Sequence, residues 1–358
     1  MTRLSELGES HVLSRILRHN RSGAQVIVGP GDDAAVTAMR GNLVSTADML
    51  VENQDFTRDW LDWNRLGIKA AAQNLADVCA MGAEPHGLLV SLAVPDATEI
   101  ADLEALFSGI VTEATRAGDE LGCEVPIIGG DLSSSELIVV AITALGTVTA
   151  DTEAGESGTG ATRVAEASAP GTEATRTTGG AVTRAGAEPG DLVYLAGTVG
   201  RAAAGLDLLF AGERDDEALA SLIRTQLSPQ PDYSAIPAIR PVASAMIDVS
   251  DGLSTDLRRV AEASSVHIRI ERERLQPLID DLLPAARRLL ALRETGDAEA
   301  LALKWVLGGG EDHGFLAAAP ASAAPPVGWR RIGEVTAGSG VSLDGEEVPT
   351  SGFSHFGK

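Results

Sequence analysis

Between residues 150 and 181 runs ADTEAGESGTGATRVAEASAPGTEATRTTGGA, in which Val164 is the only large apolar side chain. A segment this poor in apolar surface cannot offset the entropy lost on ordering it, so no hydrophobic core can pass through it. The chain is thereby divided into an N-terminal domain at 1–149, a flexible low-complexity insertion at 150–181 and a C-terminal domain at 182–358. Both flanking parts are long enough to build a core of their own.

Within them, apolar runs alternate with glycine turns and helical patterns. VIVGPGDDAAV (26–36) and LVSTADMLV (43–51) set short β-branched runs beside acids, the pattern of strand ends meeting a common edge. The Ala-rich NRLGIKAAAQNLADVCAMGA (64–83) favours a helix ending near Gly82, with Asn74 and Asp77 on one face. GLLVSLAVP (87–95) reads as a buried strand, and Asp96 as the cap of an amphipathic helix running to residue 121. VPIIGGDLSSSE (125–136) leads into the apolar strand LIVVAITALGTV (137–148). After the insertion, 189–212 and 245–264 each read as strand, turn and helix; a helix over 284–304 precedes VLGGGEDHGFLAAA (306–319), a glycine turn before a strand. The fold class is α/β with two domains.

The formal charge of −23 argues against a nucleic-acid partner, because such binding starts from a basic surface. Cys79 and Cys123, the only cysteines, form no C-x-x-C pair and read as buried small apolar residues. No apolar run approaches the ~20 residues needed to span a bilayer. The N-terminus, MTRLSELGESHVLSRILRHN, lacks the apolar core of a signal peptide, so the expected location is the cytoplasm.

The acids carry the chemistry. Asp32/Asp33, Asp48, Asp77, Asp131, Asp248/Asp251 and Glu311/Asp312 all stand at a strand end, in a glycine turn or on the apolar face of a helix. Each alone is an ordinary turn or cap, and recurrence in one setting is what distinguishes them. Were several to converge, charges ~4 Å apart would repel by ~4 kcal/mol per pair at an effective dielectric of 20, and cations would be required. Carboxylates without Cys or His partners select hard ions, Mg²⁺ above all where phosphates share the site. A P-loop is excluded: there is no G-x-x-x-x-G-K-[ST], and none of the three lysines, Lys69, Lys304 and Lys358, lies in such a loop. Phosphate chemistry would then use metal ions, glycine-loop amides and an arginine, for which Arg184 in TRAGAEPGD is a candidate.

Taken in order, GDDAAV, STADMLVENQDF, AQNLADVCAMGAEP, IIGGD, TRAGAEPGD, IDVSDGLSTDL and GGGEDHGF resemble the thiamine-monophosphate kinases, of the superfamily that includes aminoimidazole ribonucleotide synthetase and selenophosphate synthetase. The resemblance covers the chain outside the insertion. It implies a two-domain aminoimidazole ribonucleotide synthetase-like fold: an N-terminal domain that pairs with its twin in a homodimeric β-barrel, a C-terminal α/β domain, and ATP in the groove between them. It also implies Mg²⁺ ligands at Asp33, Thr46, Ala47 through its carbonyl, Asp48, Asp77, Asp131, Asp248 and Asp251, and ATP contacts at Gly130, Asp131, Arg184 and Ser250. Glu311 and Phe353 would lie against thiamine monophosphate. The implied reaction is direct transfer of the γ-phosphoryl group of ATP to that substrate.

Two positions depart from the family pattern. The family's S-T-D is here Ser45-Thr46-Ala47-Asp48, and Asp55-Phe56 stands where the family has His-Phe. An ionised Asp donates nothing to a phosphate, so Asp55 faces the thiazolium cation, binds water or metal, or is displaced. Two alternatives stay open: a related ATP-using enzyme with another small-molecule substrate, or a metal-binding homodimer without turnover.

Overall fold

The computed structural model describes residues 2–7, 9–149, 180–214, 216–293 and 296–349. The expected insertion, up to residue 179, and Phe353 lie outside the described residues.

The N-terminal part contains α1 (Glu9–Ile16), β1 (Val26–Val28), β2 (Val36–Thr37), β3 (Asn42–Val51), α2 (Trp63–Ala80), β4 (Glu84–Val94), α3 (Ile100–Leu121), β5 (Ile127–Ser134) and β6 (Val139–Val148). The C-terminal part follows with β7 (Asp191–Ala196), α4 (Arg201–Phe210), α5 (Ala220–Leu227), α6 (Ile236–Ile239), β8 (Ala245–Val249), α7 (Leu253–Ser264), β9 (His267–Ile270), α8 (Arg272–Arg293), α9 (Ala298–Gly308), β10 (Gly314–Pro320), β11 (Trp329–Thr336), β12 (Gly340–Leu343) and β13 (Glu346–Glu347).

Strands β3, β6, β4 and β5, in that spatial order, make one sheet; β4 and β5 run parallel and the other neighbours antiparallel. Period-two patterning decides its faces. Along β6, Val140, Ile142, Ala144 and Val148 are buried, while Val139, Ala141, Thr143 and Leu145 are half-buried on the opposite face. The buried face packs on α2 and α3. The second sheet has the order β13-β12-β9-β11-β7-β10-β8. Tyr194, Ala196, Met246, Phe315 and Ala317, on one of its faces, share a core with α2 and α3. Val193, Leu195, Ile247, Leu316 and Ala318, on the other face, join a core with α4, α5, α7, α8 and α9. The α2–α3 pair is therefore sandwiched between the two sheets.

That position explains the composition of α2. A helix covered on both sides needs small side chains, and Ala70, Ala71, Ala72 and Ala76 are at most 1% exposed. Two glycines let α2 and α3 touch: a Cβ on Gly67 would sit 2.1 Å from the Leu106 carbonyl oxygen, and one on Gly109 would sit 2.0 Å from that of Asn64. Each helical glycine costs about 1 kcal/mol of propensity, which the close packing offsets.

Three local expectations are corrected. Asp96 does not cap α3: the helix starts later, at Ile100, and the backbone N–H of Glu99 bonds the Asp102 carboxylate. The helix expected over 284–304 is two helices, α8 and α9, the second begun by Asp297, whose carboxylate accepts from the N–H groups of Glu299 and Ala300. Both helices bury apolar side chains in the same core, which is why their patterns read as one. Cys79 is buried as expected, but Cys123 is only half-buried, lying just beyond the end of α3.

Candidate active site

A cavity of about 600 Å³ lies between the end of β3, the turn that follows it, α2 and two glycine turns of the C-terminal part. The first turn, after β8, presents Ser250 and Asp251; the second, after α9, presents Gly308 to Glu311. These turns interlock. The Glu311 N–H donates to the Ser250 carbonyl at 2.9 Å, and a Cβ on Gly310 would stand 2.2 Å from that same oxygen. Only glycine permits this approach. Glu311 (φ 67°) and His313 (φ 54°) both hold the left-handed conformation, each at a cost of about 1 kcal/mol. Asp312 between them anchors the turn: its carboxylate accepts from the Thr198 hydroxyl at 2.9 Å and from the N–H groups of Arg201 (3.1 Å) and Ala202 (3.0 Å) at the start of α4. Burial pushes the Asp312 carboxyl up to about 6 against the lowering effect of those bonds.

On one wall, Lys69 of α2 meets the strained turn. Its buried ammonium donates to the Gln226 carbonyl at 2.9 Å and pairs with Glu311 Oε1 at 3.1 Å. Gln226 Nε2 donates to Glu311 Oε2 at 2.7 Å, so both carboxylate oxygens are held. Burial raises the Glu311 carboxyl, but the charge of Lys69 and these bonds bring it below its ordinary range.

Next to this wall several acids converge. The Thr46 hydroxyl donates to Asp77 Oδ2 at 2.7 Å, and the Asp48 N–H donates to Asn74 Oδ1 at 2.9 Å, tying β3 to α2. Burial, then the charges of Asp248 and Asp48, push the Asp77 carboxyl up to about 7 in spite of the Thr46 bond. His313 Nδ1 lies 3.2 Å from Asp248 Oδ2; burial lowers its basicity, but the bond and charge of Asp248, with Glu311 and Asp77, raise it overall. Asp251 and the fully buried Asp256 share Arg259, and burial with the Asp248 charge lifts Asp256 to about 7. Among the described residues no three His, Cys, Asp or Glu side chains form a closed metal cage. The donors nonetheless suit Mg²⁺: oxygen ligands under mutual repulsion, in an open arrangement that leaves positions for water and substrate phosphates.

The cavity mouth is aromatic. Trp60 and Phe210 meet edge to face at 4.9 Å, Phe210 being 71% exposed, and the Arg214 guanidinium stands 6.0 Å from the Trp60 ring.

The structure thus gathers Thr46, Asp48, Asp55, Asp77, Asp248, Ser250, Asp251 and Glu311 in and beside one cavity, with Ala47 adjoining on β3. Asp55 lines it while its Oδ2 accepts the Val51 N–H at 2.8 Å, so one oxygen is committed to the turn after β3. Asp33 is exposed, its N–H bonded at 2.9 Å to the carboxylate of Asp32, which closes a local turn. Gly130 and Asp131 are exposed on β5 opposite Val90 and Ser91 of β4. Arg184 is exposed, and its carbonyl accepts the Ser264 hydroxyl at 3.0 Å. These four do not line the cavity. Sequence reasoning missed Lys69, Gln226, His313, Arg259 and the Trp60–Phe210 pair. The one available signal was a lysine inside the Ala-rich stretch of α2.

Residues 31–148 match the family model described as AIR synthase related protein, N-terminal domain. The chain is 39% identical to the thiamine-monophosphate kinase of Mycobacterium tuberculosis over 364 aligned residues, covering 99% of this chain and 93% of that protein. It is 31% identical to the Aquifex aeolicus enzyme of the same name, covering 99% and 100%. A solved structure, AaThiL complexed with AMPPCP and TMP, superposes with a TM-score of 0.69 at 30% identity and 99% coverage of both chains.

Proposed function

The chain belongs to the thiamine-monophosphate kinase family, and on that premise we propose that its inter-domain cavity transfers the γ-phosphoryl group of ATP to thiamine monophosphate, giving thiamine diphosphate and ADP. The observation that carries this reading is the meeting, at one cavity, of the converging carboxylates Asp48, Asp77 and Asp248 with a Glu311 whose two oxygens are fixed by Lys69 and Gln226. The first group suits a metal nucleotide, and the second a cationic ring.

The acceptor is already an anionic phosphate, so no strong general base is needed; the protein's task is to align acceptor and donor in a water-poor cleft. The residues proposed to hold Mg²⁺ are Asp33, Thr46, Ala47, Asp48, Asp77, Asp131, Asp248 and Asp251, and the metal would supply neutralisation of the repulsion between two phosphates. Gly130, Asp131, Arg184 and Ser250 are the proposed ATP contacts. Glu311, Phe353 and the free oxygen of Asp55 are assigned to the thiamine moiety. His313, bonded to Asp248, orients that carboxylate. In this scheme residues 1–149 supply metal ligands and the dimer contact, 150–181 form the insertion, and 182–358 close the cavity.

The bare face of the first sheet supports a homodimer. Its edge strand β3 leaves Leu43 53% and Met49 60% exposed, and on the preceding hairpin Ile27 is 68% exposed. Such a face is costly for a monomer, and a second copy would cover it and extend the sheet. Among the described residues no helix is long and apolar enough to cross a membrane, and the cytoplasm is the proposed location.

The test is direct. Purified protein with ATP, Mg²⁺ and thiamine monophosphate should form thiamine diphosphate, followed by chromatography. Folded protein that makes none under excess magnesium overturns the reading.

A further inference from the structure

Thiamine monophosphate carries a cationic thiazolium and an anionic phosphate on one short linker, so a site that recognises all of it needs an anion and a cation close together. Most of the charge lining this cavity is negative: Asp48, Asp55, Asp251 and Glu311 face it. Lys69 is the one lysine or arginine among the described residues that lines it. Its ammonium sits 3.1 Å from Glu311 Oε1, and a second of its donors goes to the Gln226 carbonyl at 2.9 Å. An ammonium has three N–H donors, so one is left for a ligand.

We propose that Lys69 is the residue that recognises the acceptor phosphate, forming with Glu311 a fixed anion–cation pair complementary to the zwitterionic substrate. This rests on the thiamine-monophosphate reading above. The pair is rigid: Lys69 is 2% exposed on a helix packed on both sides, and Glu311 is held by two donors in a left-handed turn that glycines make possible. Lys69 also spans from the N-terminal helix α2 to α5 and the glycine turn of the C-terminal part, so the recognising charge is set by the docking of the two halves. A pair with a buried ammonium and a carboxylate 38% exposed is poor evidence of stabilisation, since desolvating the ammonium offsets much of the attraction. A polar role at the cavity accounts for its position better.

The role separates from plain structural support by ligand choice. Thiamine has the same ring cation and lacks the phosphate, so losing Lys69, which also holds Glu311, should weaken the phosphorylated compound more than thiamine. Dissociation constants for thiamine monophosphate and thiamine would be measured by calorimetry with the full chain, magnesium and a non-hydrolysable ATP analogue. In Lys69→Met the preference for thiamine monophosphate over thiamine is expected to fall by about tenfold or more, the size of a lost charged hydrogen bond. Lys69→Arg, which keeps the charge, should hold the preference to within about threefold of wild type. Lys69→Gln, which keeps a donor for Glu311 without the charge, gives a second reading should the methionine variant melt early, and it should lose preference likewise. An unchanged ratio in the folded Met or Gln variants, or equal weakening of both ligands, overturns the assignment. Wild-type turnover measured alongside reports separately on the functional reading.

Discussion

Asp77→Asn exposes the conflict between stability and function at this site. The substitution keeps the shape, and the new amide oxygen can still accept the Thr46 hydroxyl that now lies 2.7 Å from Asp77 Oδ2. What changes is charge. Burial and the neighbouring Asp248 and Asp48 raise the Asp77 carboxyl from 3.8 to about 7. Between those values the native state holds a proton that the unfolded chain has released, so stability falls as pH rises from about 4 to about 7 and the penalty is complete above that. The full difference corresponds to about 4 kcal/mol; relaxation and the sharing of repulsion with Asp48 and Asp248 reduce the expected gain on substitution to about 2 kcal/mol. At about 1.3 °C per kcal/mol for a chain of this size, the variant should melt about 3 °C higher than wild type at pH 8 in the presence of a chelator. Near pH 4 the two should converge. Adding magnesium should reverse the order, because wild type gains the linkage stabilisation of a bound ion and the variant gains less. Turnover should drop by about 100-fold, the loss of about 3 kcal/mol of charge stabilisation at the phosphates. The assay is differential scanning fluorimetry at pH 4.5, 6.5 and 8 with chelator or magnesium, with thiamine diphosphate formation in parallel. A variant less stable than wild type at pH 8 without metal, or one keeping full rate across a magnesium titration, refutes the argument.

Two further outcomes follow from the same geometry. Asp312→Ala removes the acceptor for the Thr198 hydroxyl and two N–H groups at the start of α4 and should destabilise the protein by about 2 kcal/mol, read from denaturant midpoints; a change under about 0.5 kcal/mol would show that the cap is dispensable. Met49→Lys places a charge on β3, where the side chain is 60% exposed, and should convert the proposed dimer to a monomer in light scattering while leaving the circular dichroism spectrum unchanged; an unchanged mass would count against a dimer contact on this face.

Much of this protein is legible without coordinates because it is local. The period-two strands, the Ala-rich helix and the glycine turns bearing acids follow from short-range sterics and patterning, and they place Asp77 on one helix face and Asp248, Asp251 and Glu311 at element ends or turns, whereas Asp48 lies within β3 rather than at its end. Where those rules misled, at Asp96 and across the α8–α9 break, the competing signal was also local: a cap three residues further on and a new N-cap at Asp297. Convergence is another matter. That Asp77 feels Asp248, that His313 is bonded to it, and that Lys69 crosses to Glu311 and Gln226 depend on α2 being clamped between two sheets, one from each half of the chain. A helix's amphipathic pattern tells which residues are buried, and it carries no record of which distant charge will face them. The sequence by itself determined most of the elements and the family to which the chain belongs; only the tertiary structure decided that a buried lysine would stand beside the glutamate, because charge pairing across the cavity is set by how the two sheets grip the helices between them.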